Sequence, residues 1–96
     1  MGRVFAAKDR TGRLIYLTDE RYKHIKSHPE MQESLALIEG TVKDPDMIKE
    51  YGLDPDVRYY YSHHKKRTSK ARYLRVVVKY QDGEGFVVTA FFVVTP

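Results

Sequence analysis

Two stretches rich in β-branched and aromatic residues, ARYLRVVVKY and FVVTAFFVVT, flank the short turn QDGEG within residues 71–95. This is the sequence form of a β-hairpin. In the first stretch Leu74, Val76, Val78 and Tyr80 share one face, and Arg75, Val77 and Lys79 share the other. The second stretch is apolar on both faces. Phe86, Val88, Ala90, Phe92 and Val94 line one, and Val87, Phe91 and Val93 the other. Such a strand predicts a place inside a sheet with cover on each side. The upstream chain must then supply that cover. Thr89 is the one polar side chain among these positions.

Upstream, residues 3–7 and 13–17 flank Asp9-Arg10-Thr11-Gly12 and predict a first, short hairpin. Thr18 is a good N-cap, and Asp19 and Glu20 suit the first turn of a helix running to about Ser27. Its apolar content is only Tyr22 and Ile25, so it docks by one edge or presents polar groups to a ligand. His28-Pro29 breaks it. A second helix is expected to start at Pro29. Met31, Leu35, Ile38 and Val42 make its core-facing stripe, and Asp44-Pro45 stops it. A strand over residues 47–51, a tyrosine-rich strand over residues 58–64 and a basic loop, KKRTSK, lead into the central hairpin. The order is β-β-α-α and then four strands.

Ninety-six residues predict one domain over 1–96. The absence of cysteine removes disulfide scaffolds, thiolate zinc sites and cysteine nucleophiles. MGRVFAAKDR has no apolar run of signal-peptide length, and no stretch approaches a membrane span, so a cytoplasmic protein is expected. Net charge is only +4, but its distribution is uneven. Between Val57 and Gln81 lie eight Lys/Arg and no acid, whereas the rest of the chain holds nine basic and thirteen acidic residues. A block this one-sided is either a solubility face or a surface that meets an anion.

Candidate chemistry is limited. A continuous helix would put His24 and His28, four residues apart, on one face. They are either surface histidines at a helix end or a general acid and base. No third ligand accompanies them, so no metal and no cofactor is expected. Tyr59, Tyr60 and Tyr61 are core residues or a platform for base stacking. Tyr60 shares parity with Arg58, Ser62, His64 and Lys66 and is the better candidate for contact with ligand. Thr89 can bond a neighbour or a phosphate oxygen. No phosphate-binding glycine loop and no nucleophilic-serine context is present. Together these features narrow the enzyme classes toward phosphodiester cleavage.

The segments YKHIKSHPEM, DPDMI, SKARYLRVVVKY and GFVVTAFF, in this order over residues 14–93, resemble the phage-associated branch of the barnase–EndoU–colicin–RelE ribonuclease fold. The resemblance implies an α+β domain: two helices in the N-terminal half, packed on a small, mostly antiparallel sheet of about four strands, with a short extra N-terminal hairpin. It also implies metal-independent RNA cleavage by attack of the 2′-hydroxyl on phosphorus. His24 or His28 would move the proton, Arg58 and Lys70 would stabilise the phosphate charge, and Thr89 would bond a phosphate oxygen. Lys65, Lys66, Arg67 and Arg72, with Tyr60, would hold the RNA. The long basic loop with His63 and His64 departs from the pattern, and the resemblance gives those two no role. The rival expectations are a non-catalytic nucleic-acid-binding module and a toxin–antitoxin-type domain that meets an acidic inhibitor protein. An exposed N-terminal edge strand could also pair two copies into a homodimer.

Overall fold

The computed structural model describes residues 2–96. The strands are β1 (Arg3–Lys8), β2 (Leu14–Thr18), β3 (Met47–Glu50), β4 (Val57–His63), β5 (Tyr73–Gln81) and β6 (Glu84–Val93). Two α-helices, α1 (Asp19–Ile25) and α2 (Leu35–Lys43), lie between β2 and β3 with a 3-10 turn at Pro29–Met31. The strands form one six-stranded sheet in the order β1-β2-β6-β5-β4-β3.

The α+β class holds, but the expected sheet of about four strands with an extra hairpin does not. The N-terminal hairpin is part of the same sheet, because β2 pairs in parallel with β6 through Ile15 opposite Gly85 and Tyr16 opposite Phe86. Gly85 permits this approach. A Cβ at that position would stand 2.5 Å from Ile15 Cδ1 and 3.0 Å from Val78 Cγ1. The remaining neighbours are antiparallel, which makes the sheet mixed.

Local chemistry fixes the connections. In the β1–β2 turn the Asp9 carboxylate accepts from the backbone N–H groups of Thr11 and Arg13 and from the Thr11 hydroxyl. The β5–β6 turn is made by Asp82 and Gly83 at φ 55° and 83°, the left-handed pair that a two-residue hairpin loop needs. Thr18 caps α1 by accepting from the Arg21 N–H at 3.2 Å. The second helix does not start at Pro29. Pro29–Met31 closes a 3-10 turn, the Ser34 hydroxyl donates back to the Met31 carbonyl at 2.6 Å, and α2 begins only at Leu35. Its stripe survives the interruption: Met31, Ile38 and Val42 are all buried.

The core lies on one face. Ile25, Met31, Ile38 and Val42 pack on Phe5, Ile15, Leu17, Leu74, Val76, Val78, Val87, Ala90 and Phe92. Val77 pairs with Thr89 and Val78 with Val87, so Val88 is an extra residue, a β-bulge. The bulge shifts the alternation by one. Val87, Ala90 and Phe92 all point to the helices, and a strict two-residue alternation cannot place them together. Cover on both faces, expected from the apolar character of β6, is not found. Both helices pack on the face that carries Val76 and Val78.

Candidate nucleic-acid interface

Directly opposed residues on neighbouring strands share a face, so the register maps the side without helices. One row reads Met47, Tyr61, Arg75, Phe91, and the next Lys49, Tyr59, Val77, Thr89. Beyond these lie His63, Tyr73 and Val93 at one end and Val57, Lys79, Phe86 and Tyr16 at the other. Tyr16, Tyr59, Tyr73, Phe86 and Phe91 are each partly exposed there.

Arg75 sits at the centre. Its guanidinium carbon lies 4.7 Å from the Tyr59 ring, 5.4 Å from Tyr61 and 5.5 Å from Phe91. Its Nε donates to the Tyr61 hydroxyl at 2.9 Å. No carboxylate lies within ion-pair distance of Arg75 among the described residues. Two other cations near this face are paired, Arg3 with Glu84 and Lys79 with Asp54. Lys49 donates to the Pro96 carbonyl at 3.1 Å, which brings the C-terminal end back toward β3. Tyr61, at 1% exposure, is the one aromatic of this face that is closed off.

The face runs at one end into the basic loop. His63 stacks on Tyr73 with ring centroids 4.5 Å apart, and a cavity of about 470 Å³ beside it is lined by His63, His64, Lys65, Lys66 and Arg67. Arg67 lies 3.6 Å from the Phe92 ring, donates to the Ala71 carbonyl and meets Glu30 at 3.8 Å. Lys65, Lys66, Lys70 and Arg72 are exposed and have no carboxylate partner among the described residues.

The residues singled out in the sequence do not gather in one hollow. Arg58 lies opposite Val78 on the helix-covered face, donates to the carbonyls of Pro55 and Val57, and meets Glu50 at 3.6 Å. Thr89 lies opposite Val77 on the other face. His24 is exposed near the end of α1 in a hollow with Thr18, Glu20 and Arg21, and exposed His28 precedes the 3-10 turn. Lys70 belongs to the basic loop.

Tyr60 is not a ligand contact. It is 0% exposed, donates to Asp9 Oδ2 at 2.5 Å, and bonds the Tyr80 hydroxyl. Burial first, and then the bond to Asp9, push its phenol far above the ordinary value, so it stays a donor. The parity grouping of Arg58, Tyr60 and Ser62 was legible, but it marks the face that the helices cover. Phe91 and Arg75 are what the sequence reading missed as ligand-contact candidates, and Tyr59 was placed behind Tyr60. Their signal was present in the strand alternation, without a means to tell which face stays open.

Among the described residues no group of three His, Cys, Asp or Glu is placed to hold a metal ion. No described helix is long and apolar enough to cross a membrane. Compared with family models, curated proteins and solved structures, the chain matches none.

Proposed function

We propose that this chain is an RNA-binding domain that holds a single strand across the open face of its sheet and along the basic loop. The observation that carries the reading is the row of partly exposed aromatic rings around Arg75, whose charge no carboxylate among the described residues answers. Bases stack on such rings at about 1–3 kcal/mol each, and cations beside them take the phosphates. Lys65, Lys66 and Arg72 extend the cationic track beyond the sheet, which keeps three of the residues that the sequence reading assigned to RNA. Metal-independent cleavage, which the resemblance implies, belongs to the same proposal. Its residues change, because Arg58 and Thr89 face opposite sides of the sheet. The reading implies a cytoplasmic protein.

The test is fluorescence anisotropy with a labelled RNA of about 12 nucleotides, a length suited to one such platform. Wild-type protein should bind it with an affinity that falls as salt rises. Arg75→Ala and Phe91→Ala should each weaken binding by about tenfold, as the loss of one stacked base predicts. RNA that does not bind, or that binds equally well to both variants, overturns the proposal.

A further inference from the structure

The four histidines differ in how their rings are held. His24 and His28 make no ring hydrogen bond among the described residues, and His63 is held by stacking on Tyr73. His64 Nε2 lies 2.9 Å from the Ser62 hydroxyl, which lies 2.6 Å from the Thr41 hydroxyl. Thr41 in turn bonds the Leu37 carbonyl at 2.7 Å.

A carbonyl can only accept, so the direction of every bond in this chain follows. Thr41 spends its one proton on Leu37. Ser62 must therefore donate to Thr41, and the Ser62 oxygen is left to accept. His64 Nε2 must then carry the proton that it donates to Ser62, which leaves Nδ1 as the basic nitrogen. Nδ1 has no hydrogen-bond partner among the described residues. No buried side-chain nitrogen or oxygen among the described residues lacks one, so Nδ1 is reached by solvent.

The ring is also fixed in orientation. It meets Phe92 edge-on at 5.6 Å, while Arg67 lies over the same Phe92. It lines the cavity that Lys65, Lys66 and Arg67 also line, where the open face ends. A neutral imidazole of set tautomer beside two unpaired ammonium groups is the arrangement that takes a proton from a hydroxyl next to a phosphate.

We propose that His64 is the general base of an RNA-cleaving site at the basic loop, its Nδ1 accepting the proton of a ribose 2′-hydroxyl, with Ser62 and Thr41 as positioning residues. The inference rests on the RNA-binding reading. As the O2′–P bond forms and the P–O5′ bond breaks, the 2′ proton passes to Nδ1. The leaving oxygen takes a proton from water, and the resulting hydroxide recovers the proton from His64. The products are a 2′,3′-cyclic phosphate and a 5′-hydroxyl. Lys65 and Lys66 face the non-bridging oxygens.

Burial, and then the nearby Arg67 charge, hold the His64 imidazole below its ordinary value of 6.5, against the opposing pull of Asp46 and with a smaller push from His63. The base is thus free at neutral pH. The cleavage rate should be flat above about pH 6.5 and fall below it as Nδ1 is protonated.

Binding and cleavage of the same labelled RNA are measured together, beside an RNA carrying one 2′-deoxy position and a DNA of the same sequence. Cleavage should skip the 2′-deoxy position and spare the DNA. His64→Ala and His64→Gln should lower kcat by about 10²–10⁴-fold, the usual contribution of a positioned base, while the Kd stays within about threefold. Ser62→Ala should lower kcat by about tenfold and shift the pH–rate limb along the pH axis, because Nε2–H loses its acceptor. ¹⁵N NMR of the wild-type protein should show a pyridine-type Nδ1 and a pyrrole-type Nε2. RNA that binds but stays intact, a proton on Nδ1, or full cleavage by both His64 variants overturns this inference and leaves the binding proposal standing. RNA that does not bind overturns both.

Discussion

Asp9 and Tyr60 are 51 positions apart in sequence, and their hydrogen bond ties the first turn to β4, across the sheet. Burial alone would raise the Asp9 pKa, but bonds from Thr11, Tyr60 and Arg13 outweigh it and hold the carboxyl below its ordinary 3.8. A lowered carboxylate contributes stability that is present above the unfolded value and is lost as pH falls through the folded one. Tyr60→Phe keeps the ring and removes the donor, leaving Asp9 Oδ2 buried and unanswered. The variant should lose about 1–3 kcal/mol in urea titration, with an unchanged m-value. Because one lowering bond is gone, its acid unfolding should also begin at higher pH than in the wild type. An unchanged midpoint would show that the hydroxyl is dispensable.

Among the elements, β6 decides most. It receives β5 through a tight turn and β2 through a short parallel pairing, and its bulge at Val88 aims Val87 and Ala90 at the same side. The parallel contact depends on the missing side chain of Gly85, beside which Ile15 packs. Gly85→Ala should cost about 1–3 kcal/mol by overpacking, and amide exchange should speed up in β2 before it does in β4 or β5. Equal protection of all strands would place the strain elsewhere. The sequence shows both hairpins and the Thr18 cap of α1 well, because turn residues and helix starts act over a few positions. It does not show the β2–β6 pairing, which joins residues 70 apart through a glycine that reads as part of a turn.

For the molecule as a whole, the sheet is covered once. The helix pair packs on one face of the sheet, against β1, β2, β4, β5 and β6, and the other described residues form no second layer. The open face and the basic loop together should make RNA binding strongly salt-dependent. For a single strand the slope of log Kobs against log salt is about 0.7 per phosphate neutralised. Replacing Lys65 and Lys66 together by Ala should therefore lower the slope by about 1.4. Phe91→Ala should weaken binding with little change of slope. A slope that does not respond to the lysines would remove the loop from the interface.

The alternation of β5, the two turns, the Thr18 cap and the acid-free stretch from Val57 to Gln81 were set by the sequence alone, since each depends on neighbours in the chain. Which face of each strand meets the helices was decided only by tertiary structure. Parity sorts Tyr59 from Tyr60, but only the packing of Ile38 and Val42 determines which of them is buried. The scattering of His24, Arg58 and Thr89, and the hydrogen-bonded line from His64 to Leu37, come from the same cause. Both depend on contacts between residues that the chain keeps far apart.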